Sequence, residues 1–246
     1  MIKTAMVLAA GHGTRMRPLT DDLSKAMVEV DGRPLIDHTL DRLEDAGVSR
    51  AVVNIHAHAD HLEAHLKTRQ TGLEIIISDE REKLLETGGG VVKALPLLGD
   101  DPIFICNIDA VWVAFAPVLE GLVAAWDPTL MDELLLLARR DMSLGHNGAG
   151  DFDLAETGHV SRRVGETSPY YYSGIQIFKP SLATSFAEEK FSRNKIWDAS
   201  LKTFGLFGTV MPAFWMHVGD PKAKRAAEAV LDEAAKIESI LTAMAK

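Results

Sequence analysis

Short apolar runs alternate with amphipathic stretches through the first half of the chain, a pattern that predicts a parallel sheet with crossover helices. Strands are expected at 3–8, 51–55, 74–78, 102–107 and 132–138. Leu134 to Leu137 is an unbroken apolar run, as in a strand covered on both faces. Between the strands, Leu35, Ile36, Leu40 and Leu43 recur at helical spacing over 34–46, and the pattern stops at Gly47. Further helices are expected over 59–67, 89–98 and 116–126.

After Arg140 the texture changes. A glycine-rich loop from Gly145 to Gly150 precedes strand-like pieces at 151–155, 159–164 and 170–178, which predict a small, mainly antiparallel lobe added to the parallel sheet. Helices at 181–189 and 195–203 and strands near 206–211 and 213–218 follow. The chain ends on a helix whose Ala223, Ala226, Val230, Ala234, Ile237, Leu241 and Met244 step along one face, either packed on its own domain or forming the seam of a weak homodimer. The expected organisation is one α/β domain over 1–246, with parts at 1–140, 141–220 and 221–246.

A chain of 246 residues buries a large core without staples. Its net charge of -9, with no Lys/Arg block, argues against nucleic acid as a partner, so any bound phosphate is small and locally held. Cys106 is the one cysteine, which excludes an internal disulfide and suits a reducing, cytosolic compartment. The apolar N-terminal run is broken at Gly11 and reads as a buried strand, and no stretch is long and uncharged enough to cross a membrane.

The first expected strand runs into Gly11-His12-Gly13-Thr14-Arg15-Met16. A glycine turn at a strand's carboxyl end lets backbone N–H groups approach phosphate oxygens. It is not a Walker A loop, because no Gly-Lys-Ser/Thr follows, and Met16 stands where a dinucleotide fingerprint needs its third glycine. Arg15 and Lys25 add a planar fork and a point charge suited to phosphate. Asp109 lies just beyond strand 102–107, where a carboxylate either caps a turn or holds a divalent cation against phosphate. His56, His58, His61 and His65 lack the spacing and partners of a zinc site. No Ser-His-Asp or Cys-His arrangement stands out.

Leu8-Ala9-Ala10-Gly11-His12-Gly13-Thr14-Arg15-Met16-Arg17-Pro18-Leu19-Thr20 resembles the signature of the sugar-1-phosphate nucleotidyltransferases, and the likeness extends over nearly the whole chain. The resemblance implies a Rossmann-like, mainly parallel sheet flanked by helices, with 1–140 binding nucleotide and 141–220 forming a small antiparallel sugar-binding lobe and the return to the sheet. It implies a nucleoside triphosphate and a sugar 1-phosphate as substrates and Mg²⁺ as cofactor. Ala9, Ala10, Gly11, Gly13, Thr14 and Arg15 would cradle the triphosphate, and Arg15, Lys25 and Asp109 would carry the chemistry. Glu80, Thr87, Gly88 and Gly89 would recognise the base. Asn107, Gly150, Asp151, Ser173 and Gly174 would line the sugar pocket; Glu166 reads as an exposed acid or else as a contact to a sugar hydroxyl.

The sequence departs from the family pattern in three places. Ser24 replaces a proline before Lys25, Ile108 replaces a glycine before Asp109, and His217 stands at the second metal position, where relatives have aspartate. Imidazole suits softer metals than Mg²⁺. Asp220 could compensate, although before Pro221 it reads better as a helix cap. Glu86-Thr87-Gly88-Gly89-Gly90, Lys93 to Leu98 and Gly150-Asp151-Phe152 most resemble the bacterial N-acetylmuramate 1-phosphate uridylyltransferases of cell-wall recycling. Mannose-1-phosphate guanylyltransferases and glucose-1-phosphate thymidylyltransferases share the first loop. A catalytically weak sensor of the same fold is the opposing class, and His217 is its support.

Overall fold

The structure is a computed structural model that describes residues 1–244. The first half runs β1 (Thr4–Leu8), a small hairpin of β2 (Glu29–Val30) and β3 (Arg33–Pro34), α1 (Leu35–Asp45), β4 (Arg50–Ile55), α2 (Ala59–Thr68), β5 (Glu74–Asp79), α3 (Glu86–Leu98) and β6 (Ile103–Asn107). Then come β7 (Ala110–Ala114), α4 (Val118–Ala125), β8 (Glu133–Arg139), β9 (Ser143–Leu144), β10 (Phe152–Leu154), β11 (Val160–Arg162) and β12 (Tyr170–Phe178). The chain closes with α5 (Asn194–Lys202), β13 (Leu206–Val210), β14 (Ala213–His217) and α6 (Pro221–Met244).

The main sheet carries the order β12-β6-β1-β4-β5, with β8 and β13 continuing beyond β12. β6, β1, β4 and β5 are parallel to one another, and β12 is antiparallel to both β6 and β8. Because β13 pairs parallel with β8, β12 is the one reversed strand of this path. The α/β class with helices against a mainly parallel sheet is therefore as expected. β1 sits between β4 and β6, buried on both faces at Ala5, Met6 and Val7. The chain leaves β1 toward β4 and returns to its other side only at β6. That reversal opens a crevice at the carboxyl ends of β1 and β6.

One expected helix needs correction, and two elements were not anticipated. Within 141–220, β12 and β13 return to the main sheet, and the antiparallel β10–β11 hairpin joins it at Tyr170. The helix expected at 181–189 is a single 3-10 turn, Pro180–Ala183. Beyond it, Phe186 stacks on Phe191 and the Phe191 carbonyl accepts from Gly88 N–H, so contacts with α3 replace a local ladder. Strand β7 was not expected, since its apolar run follows β6 after only Ile108 and Asp109. The β2–β3 hairpin escaped as well, although Asp31-Gly32, both at positive φ, is a two-residue hairpin turn.

Helix α6 packs less than its sequence suggests. Ala223 and Ala227 are buried and Val230 and Leu231 lie against the core, whereas Ile237, Ile240 and Leu241 are exposed. The last two residues of the expected 221–246 helix lie outside the described residues, and the side chain of Met244 is not described. No helix among the described residues is long and apolar enough to cross a membrane.

Under the β8–β12 junction lies a buried polar network. Glu133 accepts from Gln176 Nε2 at 2.6 Å and from Ser200 Oγ at 2.6 Å, and Trp197 Nε1 donates to Gln176 Oε1 at 3.1 Å. Burial pushes the Glu133 carboxyl up to about 7, against these bonds and the Arg193 charge. Between about pH 4 and pH 7 the folded state therefore binds a proton that the unfolded state releases, and the stability it confers is lost as pH rises through 7. The stability of wild type relative to Glu133→Gln should fall by on the order of 3 kcal/mol from pH 4 to pH 8. Urea unfolding at both pH values checks this, and a pH-independent difference would show that Glu133 stays ionised.

Candidate active site

The loop after β1 is held from two sides. Ala9 N–H donates to Asn54 Oδ1 at 2.7 Å, and Thr20 Oγ1 donates to the Gly13 carbonyl at 2.8 Å. Gly13 has φ +63°, and a Cβ there would lie 2.9 Å from Lys25 Cβ, so this turn requires glycine. Met16 plugs the loop into the core while Gly11, Thr14 and Arg15 stay exposed. Nothing lies within 4 Å of a Cβ built on Gly11, so its backbone is open to a ligand.

Ser24 accepts from Ala26 N–H at 3.4 Å and so caps the 3-10 turn that presents Lys25. Lys25 Nζ reaches Asp109 Oδ2 at 2.6 Å. His217 Nε2 lies 3.2 Å from the same oxygen. Strand β7 creates that meeting: His217 pairs with Ala110 across β14 and β7, and Val218 N–H donates to the Asp109 carbonyl at 2.8 Å. Burial would raise the Asp109 carboxyl, but the Lys25 charge and the His217 hydrogen bond override it and hold Asp109 far below the usual range. The carboxylate is ionised at any working pH.

Two cavities meet at Asn107 and Asp109. One, about 380 Å³, is bordered by Ala9, Ala10, Gly11, Lys25, Glu86 and Thr87. The other, about 440 Å³, is bordered by His146, Gly150, Asp151, Tyr172, Ser173, Gly174 and His217. Gly174 has φ +93°, and a Cβ there would press on the Asn107 side chain at 3.1 Å. Asp151 is fixed by Tyr172 N–H, which donates to Oδ2 at 2.9 Å.

Several expected contacts fall elsewhere. Glu80 is fully buried, and its carboxylate accepts from Asn54 Nδ2 at 2.7 Å and Leu85 N–H at 3.0 Å, so it positions the strand ends and borders neither of these two cavities. Gly88 and Gly89 face chain, not ligand space. A Cβ on Gly88 would sit 2.4 Å from the Phe191 ring, and one on Gly89 would sit 2.0 Å from the Glu189 carbonyl. Glu166 is exposed and offers only its carbonyl, to Arg163. Asp220 Oδ1 accepts from Ala223 N–H at 2.8 Å and so caps α6, the role its place before Pro221 suggests. Cys106 is buried and its thiol is pushed up to about 12 by burial, which leaves it inert.

His146 was missed, because only the glycines of its loop stood out. Gly148 N–H donates to His146 Nδ1 at 3.1 Å, and burial together with the His217 and Arg15 charges lowers its basicity. The neutral ring then carries its proton on Nε2 beside the larger cavity. Arg162, Arg163 and Trp197 also border that cavity and were not singled out.

The donors at the junction are oxygen-rich. Asp109 supplies a carboxylate, and the Asn107 amide oxygen is buried without a partner. One carboxylate and one amide oxygen suit a hard divalent cation that takes its remaining ligands from phosphate and water. Among the described residues no three His, Cys, Asp or Glu side chains are grouped to hold an ion by themselves. His217, expected as a second ligand, has its Nε2 against Asp109 and its Nδ1 3.4 Å from the Gly145 carbonyl, so as placed it steadies the carboxylate.

Residues 5–142 match the MobA-like NTP transferase domain. The N-acetylmuramate alpha-1-phosphate uridylyltransferase of Caulobacter vibrioides is 49% identical over 94% of this chain and 98% of its own. The enzyme of that name from Neisseria meningitidis serogroup B is 36% identical over 72% of this chain and 76% of its own. Among solved structures, HddC from Yersinia pseudotuberculosis complexed with GMP-PN superposes with a TM-score of 0.74 at 21% identity, covering 94% of this chain and 100% of that one. A UDP-glucose pyrophosphorylase complexed with UDP-glucose gives 0.78 at 16% identity, covering 95% and 100%. These likenesses establish the fold.

The close fit at Gly89 generates a direct test. Gly89→Ala should destabilise the protein by about 1–3 kcal/mol through overpacking against Glu189. Thermal melts check it, and an unshifted midpoint would mean that the 189–191 segment moves aside freely.

Proposed function

The chain belongs to the MobA-like NTP transferase family and is a sugar-phosphate nucleotidyltransferase, and we propose that it transfers uridylyl from UTP to N-acetylmuramate 1-phosphate, releasing pyrophosphate. The observation that carries this reading is the pair of cavities meeting at Asn107 and Asp109, with Lys25 on one side and His217 on the other. Two substrates held in adjoining cavities would bring an attacking phosphate oxygen to an α-phosphorus at their junction. The 49% identity along nearly the full length of the Caulobacter vibrioides uridylyltransferase supports the choice of sugar and base.

A sugar phosphate is already close to a dianion near neutral pH, so the reaction needs no protein nucleophile. One of its oxygens forms the new bond to the α-phosphorus as the bond from that phosphorus to the bridging oxygen of pyrophosphate breaks. The exposed backbone at Gly11 would receive phosphate oxygens, and Arg15 would offset charge growing on the transferring group. Lys25, shared between Asp109 and the triphosphate, would do the same for the leaving pyrophosphate. His217 would keep the Asp109 carboxylate oriented, and His146 would donate from Nε2 to the sugar phosphate. A divalent cation, Mg²⁺ in this reading, would be held by Asp109 and Asn107 with the phosphates and would supply neutralising charge.

Arg15→Ala should lower kcat on the order of 10²-fold with a much smaller change in KM, because its charge acts on the reacting group. Near-normal turnover would remove that role. A matrix of UTP, GTP and dTTP against N-acetylmuramate, N-acetylglucosamine, glucose and mannose 1-phosphates, read as pyrophosphate released, tests the substrates. UTP with the muramate ester should give the highest kcat/KM. A higher value for any other pair would overturn this assignment.

A further inference from the structure

Arg162 and Arg163 are adjacent and both border the larger cavity, but their charges are differently committed. Arg162 turns toward α5, where Nη2 meets Asp198 Oδ1 at 2.7 Å and Nη1 donates to Asn194 Oδ1 at 2.8 Å. Its charge is paired. Arg163 turns the other way and donates only to backbone: Nε to the Gly150 carbonyl at 3.1 Å, and Nη1 to the Gly165 and Glu166 carbonyls at 3.0 and 3.1 Å. Among the described residues it makes no ion pair, and its Nη2 has no hydrogen-bond partner. The acids of the same wall are already engaged, Asp151 by Tyr172 N–H and Asp109 by Lys25.

We propose that Arg163 is the specificity-determining residue that receives a carboxylate carried by the sugar substrate. This rests on the substrate proposed above. N-acetylmuramate differs from N-acetylglucosamine by a lactyl ether with one carboxylate. The 1-phosphate end would be bound where the cavities meet, and Arg163 borders only the sugar-side cavity, which leaves it to a substituent farther round the ring. Three carbonyls fix the guanidinium before the sugar arrives, so little side-chain freedom is lost when a carboxylate docks on the remaining N–H groups. A neutral hexosamine gains nothing from that charge.

The test compares kcat/KM for N-acetylmuramate 1-phosphate with that for N-acetylglucosamine 1-phosphate, at saturating UTP. Wild type should prefer the acid sugar, and Arg163→Gln should lower the preference at least about 10-fold, the factor expected for losing one charge-assisted hydrogen bond. Wild type given the lactyl amide in place of the acid should lose a similar factor, and this needs no substitution in the protein. If the variant keeps the preference, or wild type takes acid and amide equally well, Arg163 does not read the carboxylate, and the proposed substrate still stands. If wild type shows no preference for the acid sugar, the proposed substrate falls and this assignment with it.

Discussion

Asn54, Leu8 and Asn107 stand level at the carboxyl ends of β4, β1 and β6, and the site is built on that register. Asn54 ties the Ala9 backbone to Glu80, Asn107 borders both cavities, and Asp109 follows two residues later. Successive side chains of a strand point to opposite faces, so a slip of one residue between β1 and β6 would exchange every inward residue for an outward one. Ala5, Met6 and Val7 of β1 are buried on both faces, so size and shape in a close-packed core, not polarity, make that slip costly. Core packing thus sets the position of the chemistry.

Asp109, half-buried, and Glu133, fully buried, show how differently one fold treats the same group. Asp109 has an ammonium group at 2.6 Å and an imidazole at 3.2 Å, and these outweigh burial. Glu133 has only neutral hydrogen-bond donors at contact distance, with the Arg193 charge farther off, and burial wins. The first is a permanent anion at the meeting point of the two cavities. The second is a pH-sensitive piece of scaffold. In a protein of net charge -9 any attraction for phosphate must be local, from groups such as Lys25 beside Asp109 and the exposed Arg15 of the first loop, because the overall charge does not favour anions.

The glycines divide along the same line between ligand and scaffold. The openness at Gly11 fits an approaching phosphate, as its sequence neighbours suggest. Gly88 and Gly89 look identical in sequence terms but are required by Phe191 and Glu189, about a hundred residues later, which close over the start of α3. Gly90 is kept small by Glu80 and Asn54. A run of three glycines signals that something comes close; it does not say whether that is substrate or chain.

What the sequence determined by itself is whatever depends on near neighbours. Periodicity places the strands and helices of the parallel half, because burial repeats every two or 3.6 residues. The loop from Gly11 to Arg15, together with Lys25, announces phosphate because charge and backbone freedom lie within one short stretch. The Asp220 cap was also legible, from the proline beside it. Tertiary structure decided everything that needs two distant segments at one point. It placed His217 on Asp109 through the unexpected strand β7, turned Glu80 from the base pocket to the scaffold, and paired Arg162 while leaving Arg163 free of an acid. The reason is physical. A side chain's partner is set by packing across the sheet, where residues 80 or 100 positions apart become neighbours, and a one-dimensional pattern carries no record of that contact.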